Sequence, residues 1–228
     1  MKLFKTAAAL LLVICLLGSL AACQTAKPGT ATGDSAAATA DEANAAETSK
    51  NINGMRFNLT LREFTERFNA VKKQTGDTDF LTVNNWEITG AVKTDSNGVK
   101  IDYWHYDEPD ISYTASMETA TMKIMNIGCG TTKGNFDKAD VRDTLIAKAA
   151  FMAQIACGFS ADSQKTLQKI YAQAVEYKGS LWYKGYVFDF STDEENGGED
   201  NSIVLFRVFP ITDELKKEWN LTEYQENP

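Results

Sequence analysis

The sequence predicts an α+β domain whose antiparallel sheet, of about six strands, packs against helices. Strand-like alternation comes in two runs, before and after a pair of helical stretches, rather than in regular βαβ alternation. The links between neighbouring strand segments are short, which favours antiparallel neighbours. The helical stretches carry their apolar residues along one side, so each needs a sheet face to cover.

The first helix opens at Thr60-Leu61-Arg62-Glu63. Thr60 can cap it, Glu63 can reach back as a capping box, and Leu59 can staple to Phe64. Leu61, Phe64, Phe68 and Val71 then share one helical face. In the first strand run, Trp86, Ile88, Gly90 and Val92 alternate with polar residues, and Asp95-Ser96-Asn97-Gly98 makes a turn. Val99, Ile101 and Tyr103 alternate out of it, Pro109 breaks the chain, and Ile111, Tyr113, Ala115 and Met117 form the next segment. Met122, Ile124 and Ile127 complete a meander, with Gly128-Cys129-Gly130 marking the end of its last strand.

Two helices are expected next. The first runs from about Asp140 to Cys157, with Val141, Leu145, Met152 and Ile155 inward and Gly158 ending it. The second starts at Ser160 and carries Leu167, Ile170, Tyr171, Ala174 and Tyr177 before Gly179. Strands return at Leu181 to Phe190 and at Ser202 to Phe209, where Pro210 is a stop. Thr212 can cap a short last helix containing Leu215 and Trp219. The order helix, four strands, two helices, two strands, helix resembles cystatin-like and β-lactamase-inhibitor-like architectures. The resemblance rests on element order alone and implies no function.

The start of the chain carries a different kind of information. Lys2 and Lys5 precede an apolar run from Leu10 to Leu17 and then small residues, the order of an export signal. That run is shorter than the roughly 20 apolar residues a spanning helix needs. Leu20-Ala21-Ala22-Cys23 resembles the lipobox of bacterial lipoproteins. The resemblance implies cleavage before Cys23, a diacylglycerol on its thiol, and residues 1–22 as a lipoprotein signal peptide. The protein is then anchored by lipid on the extracytoplasmic face of a cell membrane. Residues 23–51 are Ala- and Thr-rich with almost no large apolar residue, which suits a disordered tether. Residues 52–228 remain for one α+β domain.

Removing Lys2 and Lys5 with the signal leaves 21 basic against 31 acidic residues, a net charge of −10. An acidic chain without a basic cluster is poorly suited to nucleic acid, whose phosphates demand Lys and Arg. Cys129 and Cys157 remain after processing; outside the cytosol they are candidates for a disulfide, against the alternative of two buried free thiols.

Tyr103-Trp104-His105-Tyr106 is the candidate ligand surface. On a strand, Tyr103 and His105 face one way and Trp104 and Tyr106 the other. One of these faces must lie under the helices, and the other can offer an aromatic platform to a sugar or peptide. Trp104 and Tyr106 are the candidate platform, and the favoured reading is that the sheet's second face is partly covered by its own loops. His105 is the chain's one histidine, and no nucleophile-elbow motif accompanies it. The acidic stretch Asp193, Glu194, Glu195, Glu199 and Asp200 lacks EF-hand spacing and reads as a solvated loop. Gly128-Cys129-Gly130 lacks the spacing and lysine of a phosphate loop. No cofactor or metal is expected. The leading expectation is a non-catalytic binding or interaction domain. A surface hydrolase using carboxylates, or a structural envelope component, are the alternatives.

Overall fold

The computed structural model describes residues 47–48, 55–74, 76, 80–89, 92–94, 98–193 and 202–226. Cys23, the export signal and most of the tether lie outside the described residues, as does nearly all of the acidic stretch after Asp193. A two-stranded ribbon pairs β1 (Glu47–Thr48) with β2 (Met55–Arg56), so strand pairing begins within the stretch expected to be tether.

Thr60 starts helix α1 (Leu61–Gln74) by the expected exchange: its N–H donates to Glu63 Oε2 at 2.8 Å, and its hydroxyl accepts from the Glu63 N–H at 3.3 Å. Leu59 and Phe64 are both buried, as the staple requires. Asn69 then ties the following loop to the helix, bonding both the N–H and the carbonyl of Leu81.

The expected strand over 86–92 is reduced to two fragments, β3 (Glu87–Ile88) and β4 (Lys93–Thr94), both paired with β5 (Lys100–Asp107). These fragments are outermost on that side of the sheet. Trp86 is buried, but Ile88 and Val92 are exposed, so the alternation there is not matched by burial. β6 (Ser112–Glu118) and β7 (Ile124–Thr132) follow as antiparallel neighbours. Met122 lies in the turn between them, exposed and at φ 58°, rather than in the strand.

Gly128-Cys129-Gly130 is not a strand end. It lies within β7, paired on one side with β6 and on the other with β10 (Ile203–Pro210). A Cβ on Gly128 would overlap the Phe206 carbonyl oxygen and crowd the Arg207 Cα, and one on Gly130 would press on the Val204 carbonyl. The glycines are there because the strands approach too closely for side chains.

After the short α2 (Lys133–Phe136), helix α3 (Ala139–Cys157) ends on Gly158 in the left-handed conformation, as expected. α4 (Gln164–Tyr177) follows a 3-10 turn at Ala161–Ser163. Leu167, Ile170, Tyr171 and Ala174 are its buried face, while Tyr177 is exposed.

The expected single strand over 181–190 is a hairpin, β8 (Ser180–Tyr183) and β9 (Tyr186–Asp193). Lys184 and Gly185 both have positive φ, 49° and 86°, the pattern of a type I′ turn. β10 runs through Pro210, and Thr212 caps α5 (Asp213–Glu218) by accepting from the Leu215 N–H. β11 (Thr222–Glu223) then adds to β8 as the sheet's parallel pair.

The result is α+β, with a nine-stranded, mostly antiparallel open sheet rather than six strands. Its order is β11-β8-β9-β10-β7-β6-β5-β3, with β4 also on β5. The inner face presents Tyr113, Ala115, Ile127, Cys129, Phe188, Phe206 and Val208 to α1, α3 and α4. Among the described residues, every core side chain falls between Phe57 and Tyr224.

Helices cover one face, with an exception at one end. Trp182, Val187 and Phe209 point to the opposite face, where Lys216 of α5 lies 3.3 Å over the Trp182 ring and Trp219 meets Phe209 edge-on. Among the described residues, no helix is long and apolar enough to cross a membrane.

The Thr60 exchange makes stability pH-dependent at the start of α1. Hydrogen bonds from the Thr60 N–H and hydroxyl hold the Glu63 carboxyl below its usual range. A depressed carboxylate contributes stability above its unfolded value and loses it as pH falls through the folded one. Thr60→Ala is therefore expected to cost about 1 kcal/mol near pH 7. The gap between variant and wild type should narrow below about pH 4, as measured by urea unfolding across pH.

Candidate functional site

The strand β5 divides its side chains between the two faces, and its register fixes which go where. Trp104 stands opposite Ala115 and Tyr106 opposite Tyr113, both buried core residues. Trp104 and Tyr106 therefore lie on the inner face, half-buried and packed against the core. The Tyr106 ring is 5.9 Å from those of both Trp86 and Tyr113, and the Trp104 indole nitrogen is buried. The candidate platform pair is the covered one, because alternation sets which residues share a face but not which face meets the helices.

Tyr103, His105 and Asp107, beyond the buried Ile101, are the residues of β5 on the opposite, outer face. They stand beside Ser116, Thr114 and Ser112 of β6. Asn126, Gly128 and Gly130 of β7 continue this polar surface, with Ser116 Oγ donating to Asn126 Oδ1 at 3.2 Å. Farther along, Arg207 of β10 donates from Nε and Nη2 to a single oxygen of Asp189 of β9, Oδ2, at 3.0 and 2.6 Å, and Ser180 donates to the other carboxylate oxygen. Asp189 is buried, so this network fixes the middle of the sheet rather than offering a free charge.

At the β3 edge lies a shallow open depression lined by residues from both faces of β5, His105, Asp107 and Tyr106, together with Asn84, Asn85 and Glu87. Asn84 and Asn85 come from the 3-10 turn Val83–Asn85, and Glu87 is brought opposite His105 by the β3–β5 register. His105 Nδ1 shares a 2.7 Å hydrogen bond with Thr89 Oγ1. Its Nε2 lies 3.9 Å from Glu87 Oε2 and 3.7 Å from Asp107 Oδ2.

A hydroxyl, an imidazole and a carboxylate in sequence invite comparison with a nucleophilic triad. The carboxylates are beyond hydrogen-bond reach, so they do not orient the ring as a triad's third member must. The Thr89 N–H is already donated to the Tyr103 carbonyl and is not free to stabilise an oxyanion. Among the described residues, no group of three or more His, Cys, Asp or Glu could hold a metal ion.

Compared with known proteins, the chain matches no family model, no curated protein and no solved structure. The site's chemistry is amide, carboxylate, hydroxyl and aromatic edge, on a surface the helices leave open.

Of the residues that make the depression, the sequence offered His105 and Tyr106. Asp107 was within reach of the same reasoning, since it shares a face with His105 two residues on. Glu87, Thr89 and the two asparagines depend on the pairing of a two-residue edge strand, which no local pattern announces.

The other candidate pair is resolved against a disulfide: Cys129 and Cys157 are both free and buried. Cys129 Sγ lies beside the Leu145 carbonyl at 3.9 Å, midway in α3, whereas Cys157 is the last residue of that helix. Twelve residues of helix separate those two points, about 18 Å at 1.5 Å per residue, and a disulfide needs Cα atoms within about 7 Å. Burial pushes the Cys129 thiol up to about 12 and Cys157 well above its usual value. In residues 23–228 carrying Cys23→Ser, a thiol reagent should label neither cysteine in the native state and both in guanidinium chloride. Absence of labelling in guanidinium chloride without reductant would mean that the two are bridged.

Proposed function

We propose that this chain is a lipoprotein held by acyl groups on Cys23 at the extracytoplasmic face of a cell membrane, where it displays a non-catalytic binding domain. The export-signal pattern and Leu20-Ala21-Ala22-Cys23 support the anchoring. The observation that carries the binding reading is the polar outer face from β5 to β7, which ends on the depression around His105. Helices cover the opposite face, and α5 covers only the far end of this one.

Asparagine amides and carboxylates beside tyrosine edges supply paired donors and acceptors with flat apolar contact. That combination suits sugar hydroxyls and peptide groups. The binding residues in this reading are Tyr103 and His105, in place of Trp104 and Tyr106. The hydrolase alternative calls for two carboxylates converging in a deep cleft. Glu87 and Asp107 instead sit with side chains 76% and 60% exposed at the rim of a shallow depression.

Two measurements test the two halves of the proposal. Cys23→Ala should abolish incorporation of a palmitate analogue and release the protein from the membrane fraction. Separately, residues 23–228 with Cys23→Ser should co-sediment with insoluble peptidoglycan, a polymer that offers both sugar and peptide. Tyr103→Ala with His105→Ala should reduce that binding at least tenfold while the far-ultraviolet circular dichroism of the domain stays native. Binding that survives the double substitution would remove the outer face as the site.

A further inference from the structure

Three carboxylates on or beside the sheet are each neutralised by a basic side chain: Glu108 by Lys148 at 2.8 Å, Glu118 by Arg56 at 2.7 Å and Asp189 by Arg207 at 2.6 Å. The two that border the depression are not. Among the described residues, neither Glu87 nor Asp107 pairs with a lysine or an arginine. Lys93 of β4 is held instead over the Tyr103 ring, at 5.3 Å. Glu87 Oε2 and Asp107 Oδ2 lie 3.9 and 3.7 Å from one atom, His105 Nε2, so both edge the same small region. The volume there is about 260 Å³, below the roughly 300 Å³ from which pockets take a whole small molecule. It suits one group of a larger ligand. Asn84, Asn85 and Tyr106 complete the lining with uncharged side chains that both donate and accept hydrogen bonds.

We propose that this depression takes a primary ammonium group of a larger ligand, with Glu87 and Asp107 as its counter-ions. The inference deepens the ligand reading above and rests on it. An ammonium has three N–H donors, and its bonds to carboxylates are stronger than bonds between neutral groups. Both carboxylate side chains are exposed enough to turn toward it, at 76% and 60%. The asparagine amides beside them can bond the hydroxyls or peptide groups that flank an amine in an amino sugar or a lysine-containing peptide. Acetylating the amine removes its charge and leaves a single N–H.

Other occupants fit these side chains less well. A phosphate or carboxylate would face two anions with no lysine or arginine in the lining to offset them. The same residues do not form a group that could hold a metal ion. The chain's excess of acidic residues attracts any cation at long range, so the test has to separate the depression from the surface as a whole.

Residues 23–228 with Cys23→Ser are titrated at low salt with two pairs of defined probes. One pair is a β-1,4-linked glucosamine hexamer and its N-acetylated counterpart. The other is a short lysine-containing peptide and the same peptide acetylated on the lysine side chain. In at least one pair the free amine should bind roughly three- to tenfold more tightly, the size expected of two exposed ion pairs. Which pair does so distinguishes a sugar amine from a peptide amine. Glu87→Gln with Asp107→Asn should remove the preference. Glu66→Gln with Glu176→Gln, at exposed positions on α1 and α4, should leave it intact. Equal loss in the two double variants would mean general attraction to an acidic surface, and would overturn the proposal. Equal binding of free and acetylated forms in both pairs would overturn it too, and so would no binding of any probe. Peptidoglycan binding that still depends on Tyr103 and His105 would, in those cases, leave the broader ligand reading standing without the ammonium.

Discussion

How closely β7 lies against β10 sets the rest of the structure. The meander β3 to β7 and the hairpin-built group β8 to β10 are separated in sequence by α2, α3 and α4. The ladder from Ile203–Thr132 to Val208–Ile127 joins them into one sheet. At its centre, Gly128 and Gly130 remove the side chains that would strike the backbone of β10. Directly beneath, Phe206 packs against Phe190, Tyr171 and Phe136 with ring centroids 5.2, 5.4 and 6.0 Å apart. The Tyr171 hydroxyl donates to the Arg207 carbonyl, so α4 is bonded to the joint as well as packed on it. Rings of this size dominate core energetics, and a fully buried tyrosine needs the partner that Arg207 supplies.

That joint determines the chemistry of both faces. Once the aromatic side of β10 is committed to the helices, the pairing passes the commitment strand by strand across β7 and β6 to β5. Trp104 and Tyr106 are thereby drawn toward the core, and Tyr103, His105 and Asp107 are turned outward. The network of Arg207, Asp189 and Ser180 closes the middle of the outer face, and α5 closes its far end. The polar strip from β5 to β7 is the part of that face which, among the described residues, no helix covers, although Ser116 and the Thr114 hydroxyl within it are buried.

What could be read from sequence follows the range of the interactions involved. The start of α1, the end of α3 and the cap of α5 each depend on contacts within about four residues: Thr60 with Glu63, Gly158 in its left-handed conformation, Thr212 with Leu215. All three were legible. The class of the fold was legible for the same reason, since strand grouping and short turns are local. The hairpin at Lys184-Gly185 was missed because lysine is an unusual occupant of a left-handed turn position, and the alternation on either side runs on as though unbroken. The face assignment of Trp104 depended on β10, a hundred residues downstream in round terms. Glycines in Gly128-Cys129-Gly130 look alike whether they end a strand or admit a neighbour; only the position of β10 distinguishes the cases. The cysteines left a disulfide and two buried free thiols both open, because their separation along α3 is set by packing and not by their spacing in sequence.

The claim that β7 and β10 weld two halves into one cooperative sheet is best tested with the chain's own tryptophans. Trp86 and Trp104 report on the first half, and Trp182 and Trp219 on the second. Two proteins are needed, each retaining one pair with the other replaced by phenylalanine. In each, urea unfolding is followed by fluorescence and by far-ultraviolet circular dichroism. The account predicts that the two signals coincide in both proteins, with one midpoint and one slope. Fluorescence of Trp182 and Trp219 changing at lower urea than the dichroism would contradict it, because the second half would then be unfolding away from a sheet that persists without it.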